Sequence, residues 1–206
     1  MAVVSDPTRF GSTGQRIGLM GDSAGGNLIL AVTAKAIYHG LRVPDFLAAA
    51  YPASSTGRVI SPSRLMALFD PLLHLSALHT IVDAYTPTEA LKHPGAPGPL
   101  STASPDEPDV SIVDPALDPF LSPLCVPDPV LAQFPPVYIT VGAYDPLFDD
   151  TMDLAARLRE VNVPVHVHVW DGMGHGYLNI MPVLDVARAA TKHMASWVRH
   201  QLYPTQ

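Results

Sequence analysis

Gly21-Asp22-Ser23-Ala24-Gly25-Gly26 decides how this chain is read. An apolar run, Ile17 to Met20, leads into it, and a helix-compatible run, Asn27 to Tyr38, leads out. Strand, sharp turn and helix in that order lift a serine hydroxyl to the top of a sheet, where it is placed as a nucleophile. Gly21 and Gly25, flanking Ser23, are expected to leave room for a strained turn in which a Cβ would clash. Ala24 opens the helix, so its N–H and the positive helix end face any charge developing on a reacting carbonyl oxygen.

Outward from the turn, residues 16–22 read as a buried strand and 24–39 as a helix apolar on most faces, the pattern of a core helix. Phe46 to Tyr51 reads as a second strand, closed by Pro52. Ser61-Pro62-Ser63 carries a cap followed by proline at the first helical position. Leu65 to Phe69 and Leu72 to Tyr85 follow as two apolar helical pieces broken by Pro71, which either cover an acyl pocket or complete the core. Residues 86–130 hold 11 of the 22 prolines, which excludes long helices and central strands. They are expected to form a surface loop or partly disordered acidic insert, with Ser101, Thr102 and Ser104 in solvated positions.

Order returns with a strand from Pro136 to Ala143, and a helix from Asp149 to Glu160 with an acidic first turn. Val163 to Trp170 alternates as a strand, Asp171 to Gly176 makes a glycine-rich turn, and Val183 to Leu202 closes the chain as an amphipathic helix. Strands alternating with helices predict an α/β fold with a mostly parallel sheet and flanking helices.

Composition narrows the class. The 206 residues are 48% hydrophobic and 15% charged, enough for a sizeable core. A formal net charge of -7 argues against a nucleic-acid or anionic-membrane surface. Cys125 is the lone cysteine, which excludes an intrachain disulfide and fits a reducing compartment. The first residues lack a signal-peptide pattern and no apolar stretch is long enough to span a bilayer, so a cytoplasmic globular protein is expected.

In an open α/β sheet, chemistry collects at the carboxyl ends of the strands. Ser23, Asp145 and His175 all fall there, in an order and spacing that one helix and one strand between Asp145 and His175 would bring back to the same sheet edge. His175 can take the Ser23 proton near neutral pH and return it to a leaving group. Asp145 would hold the imidazole tautomer; Asp149 and Asp150 are its rivals nearby. His166 and His168, two apart on one strand face, make half a metal site, but no third ligand follows at a sensible spacing. They read as a structural, partly exposed pair, and no metal or other cofactor is expected.

Three segments together carry a resemblance: Gly-Asp-Ser-Ala-Gly-Gly-Asn-Leu at 21–28, Asp-Pro-Leu-Phe-Asp-Asp at 145–150 and His-Gly at 175–176. Ser61-Pro-Ser-Arg-Leu, Asp70-Pro-Leu-Leu and Asp118-Pro-Phe-Leu-Ser-Pro-Leu narrow it. The chain resembles the hormone-sensitive lipase group of α/β-hydrolases, most closely its animal type, along nearly all its length apart from the proline-rich insert. The resemblance implies an intracellular carboxylic ester hydrolase of lipid catabolism, acting on acylglycerols and cholesteryl esters at lipid droplets, with Ser23, Asp145 and His175 as the triad. The group's upstream His-Gly-Gly-Gly, which supplies further oxyanion donors, is absent, and so are the strands that precede the nucleophile. The expectation is therefore the C-terminal portion of a catalytic domain (residues 1–206), partnered by a missing N-terminal half and weak or inactive alone. The group's basic phosphorylation sites are also missing, so kinase control does not carry over. Two other readings stay open: a catalytically inactive fragment that binds a partner or a lipid surface, and a serine peptidase or acyltransferase with the same triad.

Overall fold

The computed structural model describes residues 6–11, 13–57, 60–68, 70, 72–86 and 115–204. Four strands form one sheet in chain order: β1 (Gly18–Asp22), β2 (Phe46–Ala50), β3 (Val137–Gly142) and β4 (Val165–Trp170). Every pairing is parallel, with Asp22 beside Ala50, Ala50 beside Thr140, and Gly142 beside Trp170. All four strands therefore end on one rim, and their exits lead to Ser23, Tyr51, Asp145 and His175.

Parallel strands need crossovers, and the helices supply them: α1 (Ala24–Tyr38), α2 (Pro62–Met66), α3 (Leu75–Tyr85), α4 (Asp128–Leu131), α5 (Phe148–Glu160) and α6 (Asp185–Leu202). Period-2 alternation sorts the sheet residues between two cores. Leu47, Ala49, Val137 and Ile139 pack with Leu30 of α1 and Leu154 and Leu158 of α5. Ala48, Ala50 and Tyr138 pack on the other face with Ala187, Ala190 and Met194 of α6. The spacing of those three α6 residues is the apolar stripe that makes this helix amphipathic. β2 is buried along its whole length, and its alanines let helices approach from both sides. β1 pairs with β2 alone among the described residues, and Met20 on β1 and Leu28 on α1 are about half exposed (54% and 51%).

Three expectations shift. The Ser61 hydroxyl does accept the Arg64 N–H with Pro62 behind it, but the first apolar helix is α2 (Pro62–Met66) rather than 65–69. The second begins at Leu75, because the Asp70 carboxylate takes the Leu72 and Leu73 N–H groups into a turn and His74 caps the helix. Of the insert expected over 86–130, residues 87–114, with Ser101, Thr102 and Ser104, lie outside the described residues. Residues 115–131 are no loose loop. They run through two 3-10 turns (Pro115–Leu117 and Pro123–Cys125) into α4, and Val126 and Leu131 are fully buried in the core. Proline fits the first turn of a short helix, so the composition that excludes long elements leaves such turns open. Arg157 of α5 fastens this segment by donating to the Leu124 and Val126 carbonyls.

Candidate active site

Ser23 sits between the end of β1 and the start of α1 with φ 52 and ψ -116, a positive φ that a serine adopts only at a cost. Its neighbours over-determine that turn. The Ser23 N–H donates to the Ala50 carbonyl (2.9 Å), and the Ser23 carbonyl accepts from Asn27 and Ala53 (3.1 Å each). A Cβ at Gly21 would overlap the Gly25 carbonyl, and one at Gly26 would lie 2.8 Å from Pro52 Cα. Gly25 differs from expectation: a Cβ there would meet only Asp22 Oδ1, at 3.9 Å, an ordinary contact. The steric need falls on Gly21 and Gly26, because Gly25 faces open space while Gly26 is pressed against the segment leaving β2. Ala24 is the first residue of α1, so its N–H has no acceptor inside the helix.

Asp145 follows β3 and is fully buried; His175 follows β4 and is 8% exposed. Ser23 Oγ stands 2.9 Å from His175 Nε2. His175 Nδ1 lies 3.0 Å from both Asp145 oxygens, and the Leu147 N–H donates to Asp145 Oδ1 (2.8 Å). The three residues, 152 positions apart at the extremes, thus form one continuous line of hydrogen bonds. A carboxylate on Nδ1 places the ring proton there, which leaves Nε2 as the acceptor for the Ser23 hydroxyl.

The rival carboxylates are committed elsewhere. Asp149 accepts the Ser63 N–H (2.8 Å); burial works against its charge, but hydrogen bonds from Ser63 and Ser61 and the Arg64 charge prevail and hold its pKa low. Asp150 pairs with Arg64 at 2.6 Å, although burial outweighs that partner and raises its pKa. Both pin α2 to α5. His166 and His168 stand mid-strand, away from the rim, beside His193 of α6. Among the described residues no group of three or more His, Cys, Asp or Glu is arranged to hold a metal ion.

Other residues of the site have roles that the sequence pattern did not announce. Tyr51, also at positive φ (36), packs its ring 4.9 Å from the His175 ring and 5.4 Å from Tyr177. Tyr177 is fixed through its hydroxyl to Thr140 Oγ1 (2.7 Å), which also takes the Trp170 indole N–H (2.9 Å). Burial pushes the Tyr51 phenol up, and the charges of Asp22 and Asp145 add to it, so it stays neutral at physiological pH. Asn27 ties two loops and the end of α3 together beneath the turn: its amide donates to the Ala53 and Leu121 carbonyls, and its oxygen accepts from Tyr85.

Beside His175 opens a cleft of about 580 Å³ with Met66, Leu72, Tyr144, Met173, Ile180 and Leu184 among its walls and Asp70 at its edge. The apolar segment at 62–85 therefore does two things: Met66 and Leu72 face the cleft, while Leu73 and Leu78 are buried against Leu147.

The profile of the alpha/beta hydrolase fold matches residues 2–179. The chain belongs to the alpha/beta hydrolase fold family. Within this hydrolase family its likeness is to hormone-sensitive lipase. It is 55% identical to the mouse (Mus musculus) protein over 84 residues, 41% of this chain and 11% of that one. It is 25% identical to the human (Homo sapiens) protein over an alignment of 342 residues, 95% of this chain and 32% of that one. The carboxylic ester hydrolase LipN of Mycobacterium tuberculosis is 30% identical over 197 residues, 94% of this chain and 46% of that one. Among solved structures, a carboxyl esterase of the fungus Tuber melanosporum superposes with a TM-score of 0.78 at 22% identity, covering 98% of this chain and 59% of the esterase. At that identity the superposition speaks for the hydrolase fold alone. The chain spans less than two thirds of the length of each of these proteins. Among the described residues no helix is long and apolar enough to cross a membrane.

Proposed function

We propose that this protein is a serine-type carboxylic ester hydrolase of apolar esters, with acylglycerols and cholesteryl esters as the substrate class and a cytoplasmic lipid-droplet surface as its place of work. The observation that carries the reading is the line Ser23 Oγ, His175 Nε2, His175 Nδ1, Asp145, joined at 2.9 and 3.0 Å. Similarity to lipases and esterases supports the reaction class, and the apolar cleft beside His175 supports an apolar substrate.

The chemistry runs in two halves. Ser23 Oγ attacks the ester carbonyl carbon as its proton passes to His175 Nε2. The carbonyl oxygen becomes an oxyanion within reach of the Ala24 N–H. The tetrahedral species collapses, the bond to the alcohol oxygen breaks, and His175 protonates the departing alcohol. A water then attacks the acyl-Ser23 carbonyl with His175 as base, and the acid leaves as Ser23 regains its proton. Throughout, Asp145 holds the Nδ1 proton and balances the transient imidazolium.

The 206 residues act in this reading as one portion of a longer catalytic unit. Support comes from the share of relatives they span and from the pairing of β1 with β2 alone among the described residues. Ala24 is the donor that these residues supply; a donor of this kind lowers the barrier by about 3–4 kcal/mol.

A fluorophosphonate probe and a series of p-nitrophenyl esters, acylglycerols and peptide amides test the proposal. Expected is labelling at Ser23, turnover of esters over amides, and a fall in kcat of at least about 10⁴-fold in Ser23→Ala. A folded catalytic unit that neither takes the probe at Ser23 nor cleaves any ester would refute it.

A further inference from the structure

We propose that Asp70 is the positioning residue that sets where His175 stands, and that its carboxylate joins the base to the apolar wall of the cleft. The inference rests on the ester-hydrolase reading for what the base does, but its geometry is independent of that reading. Asp70 is 7% exposed. Three backbone N–H groups converge on it: Leu72 and Leu73 donate to Oδ1 at 2.7 Å each, and His175 donates to Oδ2 at 3.0 Å. The last of these spans 105 residues of chain.

A buried carboxylate is costly unless its acceptor positions are filled, and charge-assisted bonds to N–H groups are the strong ones. Three of the roughly four lone-pair positions are taken by backbone, so the group is built to hold protein rather than a ligand. Gly174 makes the contact geometrically available: a Cβ there would stand 2.7 Å from Asp70 Oδ2. The turn carrying His175 has glycines with positive φ on both sides, Gly172 (72) and Gly176 (69). Such a turn has many conformations to lose, and a fixed backbone N–H at His175 removes them. The Asp145 and Tyr51 contacts orient the ring, whereas the Asp70 bond places the backbone from which the ring projects. A shift of about 1 Å between base and nucleophile costs on the order of 100-fold in rate. On its other oxygen the same carboxylate holds Leu72, whose side chain lines the cleft that His175 borders.

Two variants disturb the bond by different means. Asp70→Asn puts an amide in place of the carboxylate, so one of the three donors loses its acceptor. Gly174→Ala leaves the charge in place and pushes a methyl group at Oδ2. Both go into the same folded catalytic unit that the ester series uses, with ¹⁵N-labelled histidine, and the His175 imidazole signals are assigned by comparison with His175→Ala. Expected in both is loss or a clear upfield shift of the deshielded Nδ1 proton, with other backbone signals in place. Expected too is a kcat at least about tenfold lower, with the KM of a short ester within about twofold. An unchanged Nδ1 signal with kcat within twofold of the parent in either folded variant overturns the proposal. Unfolding of both overturns it as well, by making Asp70 a general support of the fold. Ser23→Ala separates this from the parent reading: hydrolysis that survives Ser23→Ala sinks the ester mechanism, while the imidazole signal still decides the role of Asp70.

Discussion

Two groups of histidines lie in and beside β4, and only one is joined to both a hydroxyl and a carboxylate. His175 is alone, nearly buried, and both its ring nitrogens are engaged, one on the Ser23 hydroxyl and one on the Asp145 carboxylate. His166, His168 and His193 lie together between β4 and α6 and make ring contacts instead. His166 stacks on Tyr138 (5.5 Å), and His168 lies 4.3 Å from Trp170 and 4.4 Å from His193. A hydrogen bond joins His193 Nδ1 to the Tyr138 hydroxyl (2.8 Å). Three rings in contact suggest a site by number. One ring with a donor role and an acceptor role assigned by its neighbours suggests it by physics, since a proton can move along that line in a defined direction.

The sharpest way to break the contrast is to take away the assignment and keep the shape. Asp145→Asn preserves the volume and one acceptor, but its amide group lets the His175 ring turn or change tautomer. In a Ser-His-Asp system that change costs about 10⁴-fold in kcat. The same exchange at the rival carboxylates, Asp149→Asn or Asp150→Asn, touches only the α2–α5 contact and should lower thermal stability with kcat within about threefold. Steady-state kinetics beside a melting curve for the three variants decides this. An Asp150→Asn effect as large as that of Asp145→Asn would mean that the line of hydrogen bonds has been misread.

A milder test removes the ring packing that the two sets share in different measure. Tyr51 leans on His175 at 4.9 Å, and an aromatic pair of this kind contributes about 0.5–1.5 kcal/mol beyond simple burial. If that contact serves to hold the base, Tyr51→Leu should lower kcat roughly two- to tenfold, whereas Tyr51→Phe should leave it nearly unchanged. The pH–rate profile of Tyr51→Phe should also match the parent, because burial keeps the phenol neutral across the working range.

These residues show where the chain could be read in advance and where it could not. Ser23 was legible because its strand, glycines and helix are adjacent in sequence, and the parallel pairing of β1 to β4 follows from alternation of elements, whereas their order in the sheet does not. Asp145 stood out from Asp149 and Asp150 because it is nearest the end of β3, and the rivals proved to serve α2. Asp70 and Asn27 stood in segments that carry the resemblance, yet like Tyr51 they gave no sign of their role, since each acts through a partner set by the tertiary fold. Asp70 meets His175 across 105 residues, and Asn27 meets Leu121 across 94. Residues 115–131 misled for a related reason. Their prolines speak of what backbone they cannot form, while burial of Val126 and Leu131 depends on α5 and β3 arriving from later in the chain.

The smallest expected effect sharpens the comparison from the side of the surface cluster. Burial lowers the pKa of His168 below its ordinary 6.5, and the neighbouring His193 and His166 lower it further. A group with a depressed folded pKa binds its proton more readily in the unfolded chain. As pH falls below about 6.5 the unfolded state takes up that proton first, so stability declines until the folded form is protonated too. The residue is partly exposed, which screens the effect and keeps it small. His168→Gln removes this proton from both states, so the fall in Tm between pH 7 and pH 5.5 should shrink by about 1–2 °C. Melting curves at the two pH values, for the parent and the variant, measure it. An equal fall in both would mean that His168 takes its proton as readily in the folded chain as in the unfolded one, and the cluster would then be packing alone.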